Sequence, residues 1–152
     1  MTNQINNYMK LQKTTLISLL LLILIMSSIV GHFLPPTGIL AAPVIIVLIS
    51  GLIVFTNNDF NILVKSLLAY LFIGLNDIGI KLFAGGMHDM EGVGWINMMF
   101  LIGSAISFII LLIGILKDRN STNGIKALSA LIFIVLICIH CKTFETLGVN
   151  VN

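Results

Sequence analysis

Long apolar segments separated by short polar connections make up most of this chain. Five such segments lie at residues 14–34, 38–56, 62–84, 95–116 and 127–141. At about 1.5 Å per helical residue, four approach the ~30 Å of hydrocarbon that a transmembrane helix crosses, and the fifth does so if it continues to Phe144. None alternates with the two-residue period of a membrane barrel strand. The pattern predicts an all-α polytopic membrane protein, a compact bundle of five transmembrane helices in a single domain, residues 1–152.

Composition supports the membrane assignment and excludes several classes of protein. Hydrophobic residues make up 58% of the chain and charged residues 9%, whereas about a quarter of the residues in a soluble domain are charged. With a net charge of +2 and no large basic cluster, nucleic acid is not an expected partner. The expected partners are the lipid bilayer and, as open alternatives, other membrane subunits or a second copy of the chain.

The distribution of basic residues predicts the orientation in the membrane. Cytoplasmic connections of membrane proteins carry an excess of Lys and Arg. In the five-helix layout six basic residues fall on one side and two, Lys81 and Lys142, on the other; the six are Lys10, Lys13, Lys65, Lys117, Arg119 and Lys126. The N-terminus is therefore expected inside and the C-terminus outside, in a bacterial cytoplasmic membrane.

Prolines and glycines indicate how the helices are connected. Residues 35–37, Pro-Pro-Thr, predict a tight hairpin between helices one and two, and Pro43 is expected near the first turn of helix two, where a missing N–H costs little. The connection 85–94 differs from the others because it contains four glycines, a histidine and two acids. This loop and the helix before it are the most chemically varied parts of the sequence.

Helix three carries a polar stripe inside an otherwise apolar segment. Asp77 lies roughly 22 Å along the helix from its start, where an unpaired carboxylate costs several kcal/mol. Lys81 is one turn further on, with the acid preceding the base in the favoured order. At about 100° per residue, Ser66, Tyr70 and Gly74 share the face of this pair. The stripe is expected to face the bundle interior.

Three interpretations of the stripe remain open. The Asp77–Lys81 pair fixes helix packing, forms part of a proton, ion or substrate site, or contacts another subunit. Asn76 lies about 120° away from the stripe and is expected to hydrogen-bond to a neighbouring helix. On helix four, a strip of small residues predicts close approach of another helix; it consists of Gly103, Ser104, Ser107 and Gly114.

Histidines and acids gather on the predicted outer side. His32, His88 and His140 fall there, together with Asp89 and Glu91. Imidazole and carboxylate groups suit a zinc-type or other divalent site when three or four converge, and the candidate ligands are His88, Asp89, Glu91 and His140. The alternatives are a proton relay or substrate contact through His88 or Asp89, and an ordinary water-facing loop. No cofactor is predicted, and a divalent metal is kept as the alternative.

Cys138 and Cys141 match the CxxC spacing of thiol redox centres. Such centres need a stabilised thiolate, usually at a helix N-terminus. This pair instead lies near the C-terminal end of an apolar helix. The favoured interpretation is two small buried residues, with redox chemistry as the alternative.

Three functions are consistent with the sequence. The first is a small non-enzymatic bundle that serves as a binding, accessory or subunit-type protein, because no nucleotide-binding or hydrolase motif occurs. The second is a proton- or ion-coupled transporter or channel using Asp77, Lys81 and Tyr70. The third is a membrane enzyme or metal site at the outer face, built on His32, His88, Asp89, Glu91 and His140.

Overall fold

Five helices form the structure, a computed structural model that describes residues 2–56, 60–84 and 89–149, with only the helical backbone for residues 2–11. They are α1 (Thr2–Phe33), α2 (Pro35–Phe55), α3 (Ile62–Phe83), α4 (Met90–Lys117) and α5 (Asn123–Thr143). Each contains a segment long and apolar enough to cross a membrane. The prediction of an all-α protein with five membrane-spanning helices is confirmed.

The first connection is shorter than the sequence pattern predicts. α2 begins at Pro35, so that Leu34 alone separates it from α1. Pro35 and Pro36 occupy the first helical positions, which need no backbone N–H. As a result Pro43 lies well inside α2 rather than near its first turn, and the carbonyl of Ile39 loses its usual helical donor.

Three other helices begin earlier than their apolar segments. α1 begins at Thr2 rather than at residue 14. Asp89 caps α4 by accepting a hydrogen bond from the Gly92 N–H at 2.7 Å, so that α4 begins at Met90 rather than at residue 95. Thr122 caps α5, which begins at Asn123 rather than at residue 127. A hydropathy pattern does not detect the polar first turn of a helix. Such a turn still forms because a capping side chain stabilises it.

α3 is the central helix of the bundle. It packs against all four other helices, which surround it in the order α1, α2, α4, α5. Among the described residues α1 and α5 do not touch each other. This leaves a seam along α3 in which Leu67, Leu71 and Leu75 are exposed on the bundle surface.

Small residues bring α2 close to two of its neighbours, α1 and α4. A Cβ on Gly38 would lie 2.5 Å from the Cα of Gly31 in α1, and a Cβ on Gly103 would lie 3.0 Å from the Cα of Pro43. The hydroxyl of Ser107 donates to the carbonyl of Ile46 at 3.2 Å. The small-residue strip of α4 therefore packs on α2, as close helix pairs in membranes do.

The two ends of the bundle differ in composition. We call the end where α1, α3 and α5 finish the C-terminal end, and the opposite end the N-terminal end. A large apolar core fills the half nearer the N-terminal end; it includes Leu16, Leu20, Ile49, Ile53, Ile73, Leu111 and Phe133. A smaller apolar cluster lies towards the C-terminal end, around Ile39, Ile80 and Ile96. Buried charged side chains are found only beside this second cluster among the described residues.

Candidate functional site

Three ionisable side chains meet inside the C-terminal half of the bundle. The Lys81 ammonium lies 2.7 Å from Oδ2 of Asp77, and Nε2 of His140 donates a hydrogen bond to the same oxygen at 2.9 Å. None of the three residues is more than 2% exposed. We call Asp77, Lys81 and His140 the charged cluster.

Local sequence on α3 creates the space for this cluster. Asp77 and Lys81 stand one helical turn apart on one face, which allows direct pairing. Gly74 precedes them on that face, and a Cβ there would lie 3.2 Å from both Nδ1 and Cε1 of His140. The edge of Tyr70 faces the same imidazole, with ring centroids 6.0 Å apart. The absence of a side chain at Gly74 thus lets α5 bring its histidine against the acid.

Aromatic side chains surround the histidine. The ring of Phe100 on α4 stacks on His140 with centroids 4.9 Å apart, and Phe144 lies tilted against it at 4.7 Å. The two rings cover the imidazole, and His140 is only 1% exposed. In such surroundings the attraction between paired charges is much stronger than in water.

The segment after α5 closes the cluster at the C-terminal end. The Lys81 ammonium donates to the backbone carbonyl of Phe144 at 2.9 Å. The Asn97 side-chain amide donates to the carbonyl of Glu145 at 2.9 Å. Two side chains from α3 and α4 therefore hold the same short segment over the charged cluster.

Not every polar atom of the cluster has a partner. Within the described residues, Oδ1 of Asp77 and Nδ1 of His140 are buried without a hydrogen bond. Because Nε2 carries the proton donated to an ionised Asp77, a neutral His140 has its lone pair on Nδ1. With Lys81 protonated, Asp77 ionised and His140 neutral, the cluster carries no net charge, and Nδ1 is the ring nitrogen without a hydrogen-bond partner.

The predicted stripe lies on the interior side of α3 but is not one continuous network. Ser66 is fully buried, and its hydroxyl donates to the Ile62 carbonyl of its own helix at 3.1 Å. Tyr70 is half-buried and contacts His140 through its ring. The sequence pattern pairs Asp77 with Lys81 but groups His140 with the metal candidates. Asp77 and His140 both lie near the C-terminal ends of their helices. This common position in the sequence pattern could have predicted that the two side chains meet.

The remaining candidates of the outer side are dispersed. His32 is exposed, and its Nδ1 donates to the Phe83 carbonyl at 3.0 Å, joining the ends of α1 and α3. Asp89 is the cap of α4, and Glu91 is exposed in the first turn of that helix. His88 lies outside the described residues. Within residues 2–56, 60–84 and 89–149, no three His, Cys, Asp or Glu side chains are arranged to hold a metal ion.

The two cysteines face different surroundings. Cys138 is exposed on the bundle surface and Cys141 is half-buried, and both are free thiols. Both lie in the last turns of α5, three residues apart, and the expected burial is not found for Cys138.

Asn76 does not make the interhelical hydrogen bond that its position predicts. The residue is almost completely buried, and neither amide atom has a partner among the described residues. The Ser27 hydroxyl on α1 is likewise buried and unpartnered. Asn76 is therefore a second polar position inside the bundle. It is an unfavourable one, because a buried amide without partners destabilises a fold.

Comparison of the chain with protein-family models, with curated proteins and with solved structures gave no match.

Proposed function

We propose that this protein is a small proton-coupled membrane transporter or channel whose proton-binding group is the charged cluster. The observation that carries the proposal is the hydrogen-bonded contact of Asp77 with both Lys81 and His140 inside an apolar bundle. Ionisable residues at membrane depth are expensive, and they commonly mark ion pathways and proton relays. Histidine adds a group whose charge changes near neutral pH.

The charge balance of the cluster links protonation to conformation. One anion, one cation and a neutral imidazole give no net charge. A proton added at Nδ1 of His140 leaves one uncompensated positive charge in a site almost closed to solvent. Such a charge costs several kcal/mol, which favours any rearrangement that admits water or a counter-ion.

α5 is the helix best placed to move in response. Among the described residues it packs only on α3 and α4, and its link to Asp77 is the single hydrogen bond from His140. A small displacement of α5 would break this bond and open the cluster towards the C-terminal end. The apolar core around Ile49, Ile73 and Phe133 closes the opposite path.

We also propose an orientation of the protein in the membrane. With the N-terminus inside, the basic residues of the N-terminal end face the cytoplasm, as the distribution of Lys and Arg favours. The charged cluster then lies nearer the outer face of a bacterial cytoplasmic membrane. Protons would reach it from outside when the segment after α5 moves away.

Proton flux in proteoliposomes tests this function. We expect the purified protein to acidify the lumen, reported by a trapped pH dye, under an imposed membrane potential. Asp77→Asn and His140→Gln should reduce the flux to that of protein-free liposomes. Glu91→Gln removes an exposed acid at the same end of the bundle and should leave the flux unchanged.

Two results would contradict the proposal. One is wild-type flux no higher than that of protein-free liposomes. The other is full flux through Asp77→Asn protein with unchanged helical content and elution volume. Single-histidine protein (His32→Gln with His88→Gln) adds a direct readout, because its ¹⁵N signals report which ring nitrogen of His140 carries the proton.

A second candidate function is that of a membrane subunit. The observation that favours it is the seam on α3, where Leu67, Leu71 and Leu75 lie exposed between α1 and α5. Closing this seam with a helix of another protein or another copy would complete the ring around α3.

In protein lacking Cys138 and Cys141, Leu71→Cys should form disulfide-linked dimers in membranes if a second copy contacts the seam. Monomeric protein that co-purifies with no other membrane protein would count against a subunit function.

A further inference from the structure

A large cavity lies at the N-terminal end, opposite the charged cluster. Its volume is about 730 Å³, and it lies between the ends of α2 and α4 and the starts of α3 and α5. Ligand pockets typically measure about 300–1,000 Å³. The cavity is therefore large enough for a lipid headgroup or a small metabolite.

Basic residues outnumber acidic ones in the described lining of this cavity. Lys65 and Lys117 both line it. A third lysine, Lys13, lies over the ring of Phe60, another lining residue, at 5.1 Å from the ring centroid. An anionic group entering the cavity would thus meet the ammonium groups of Lys65 on α3 and Lys117 on α4.

Asp118, the one described acid of the lining, is hydrogen-bonded within its own loop. Its carboxylate accepts hydrogen bonds from the Ser121 hydroxyl at 2.5 Å and from the Asn120 N–H at 2.9 Å. These bonds, and the nearby Lys126 and Lys65, hold the pKa of Asp118 below its ordinary value. Asp118 remains ionised at neutral pH, yet the lysines outnumber it.

The lining of the cavity also contains apolar side chains. Phe55, Ile62 and Ile125 contribute to it, and they lie where the membrane-spanning segments begin and end. A ligand that fits would carry its charge near the lysines and its apolar portion against these side chains. Phospholipids with anionic headgroups have this distribution, and so do apolar phosphate esters.

We propose that this cavity binds a phosphate group, carried either by an anionic phospholipid or by a small phosphate-bearing molecule. Lysine ammonium groups bind phosphate oxygens as point charges. Juxtamembrane lysines also attract the anionic lipids of a cytoplasmic leaflet. The cavity lies at the opposite end of the bundle from the charged cluster and shares no residue with it, so that this proposal does not rest on the proposed proton coupling.

Native mass spectrometry of the full chain in detergent tests the lipid source. Phosphatidylglycerol should bind at least about tenfold more tightly than phosphatidylcholine, and Lys65→Gln with Lys117→Gln should remove this preference. Arg119→Gln with Lys142→Gln removes the same charge from residues outside the cavity lining and should preserve it. Ile125→Trp, which narrows the cavity without changing charge, should weaken phosphatidylglycerol binding as well.

Inorganic phosphate distinguishes the two sources. If the natural ligand is a small phosphate-bearing molecule, millimolar inorganic phosphate should bind in phosphatidylcholine nanodiscs, seen as ³¹P line broadening that Lys65→Gln with Lys117→Gln abolishes. If it is a lipid, phosphatidylglycerol alone should show the lysine-dependent preference. Equal binding of both lipids together with no phosphate broadening would overturn the proposal. Equal losses in the cavity variant and the control variant would overturn it too.

Discussion

Lysines at the two ends of the bundle show how differently one residue type can be accommodated. Lys81 is only 1% exposed and has two partners, the Asp77 carboxylate and the Phe144 carbonyl. Lys65 and Lys117 border a cavity of about 730 Å³, and the contact of Lys65 with the Val54 carbonyl is long, at 3.4 Å. The first lysine is fixed by the fold, whereas the other two line a space that the fold leaves open.

This difference follows from the cost of burying charge. A buried ammonium must be paired, and removing the partner of a buried ion pair is far more destabilising than removing a surface charge. Changes at the C-terminal end should therefore act mainly on stability and on the state of His140. Changes at the N-terminal end should act mainly on binding.

The largest effect should come from removing the acid of the charged cluster. Asp77→Leu leaves Lys81 buried without its carboxylate, and we expect a loss of about 3–5 kcal/mol in the free energy of unfolding. Adding Lys81→Met should recover most of this loss, because an apolar pair of similar volume replaces the ions. Reversible unfolding in mixed micelles, followed by circular dichroism, measures both. A double variant as unstable as the single one would show that the pair is not the source of the effect.

Gly74 offers a smaller perturbation of the same region. Gly74→Ala would place a Cβ 3.2 Å from the His140 ring, and we expect a loss of about 1–3 kcal/mol together with a shifted ¹⁵N signal of that histidine. Gly51 has nothing within 4 Å of its added Cβ. Gly51→Ala in the same unfolding assay should leave stability equal or raise it by up to about 1 kcal/mol.

Asn76 tests how much a buried amide without a hydrogen-bond partner lowers the stability of the bundle. Asn76→Leu replaces two unpartnered polar atoms by apolar ones of similar size, and we expect stability to rise by roughly 1–3 kcal/mol. Ser50→Ala is a matched control on α2, since its hydroxyl bonds only within its own helix. A loss of stability in Asn76→Leu would instead indicate that the amide has a partner such as an ordered water.

The smallest effect concerns pH at the N-terminal end. The pKa of Asp118 is below its ordinary value of 3.8, chiefly because the Ser121 hydroxyl and the Asn120 N–H bond its ionised form. Its stabilising contribution should be present above pH 3.8 and be lost as the pH falls through the lower folded value. Carboxyl ¹³C titration should show this shift, and Ser121→Ala should move the pKa back towards the ordinary value.

The sequence was sufficient for some parts of this structure because the underlying physics is local. Long apolar segments define membrane helices by length alone, and the spacing of Asp77 and Lys81 defines their pairing by helical geometry. Such features depend on residues within one helix.

Other parts depend on how separate helices pack. The contact of His140 with Asp77 requires α5 to lie against Gly74, which no feature of α5 specifies on its own. The early start of α4 depends on a cap formed by Asp89, and the interior position of Pro43 follows from α2 beginning one residue after Leu34. Hydropathy describes the middle of a membrane helix better than its ends or its partners.

The single-residue link at Leu34 also bears on how the protein enters the membrane. Gly31 and Gly38 bring the backbones of α1 and α2 together beside this link. The two helices must therefore lie side by side when they cross the bilayer. We expect the translocation machinery to release them as one helical hairpin, before α3 is synthesised. The central helix would then be inserted against a preformed surface, and the first two helices would act as the template for the assembly of the rest.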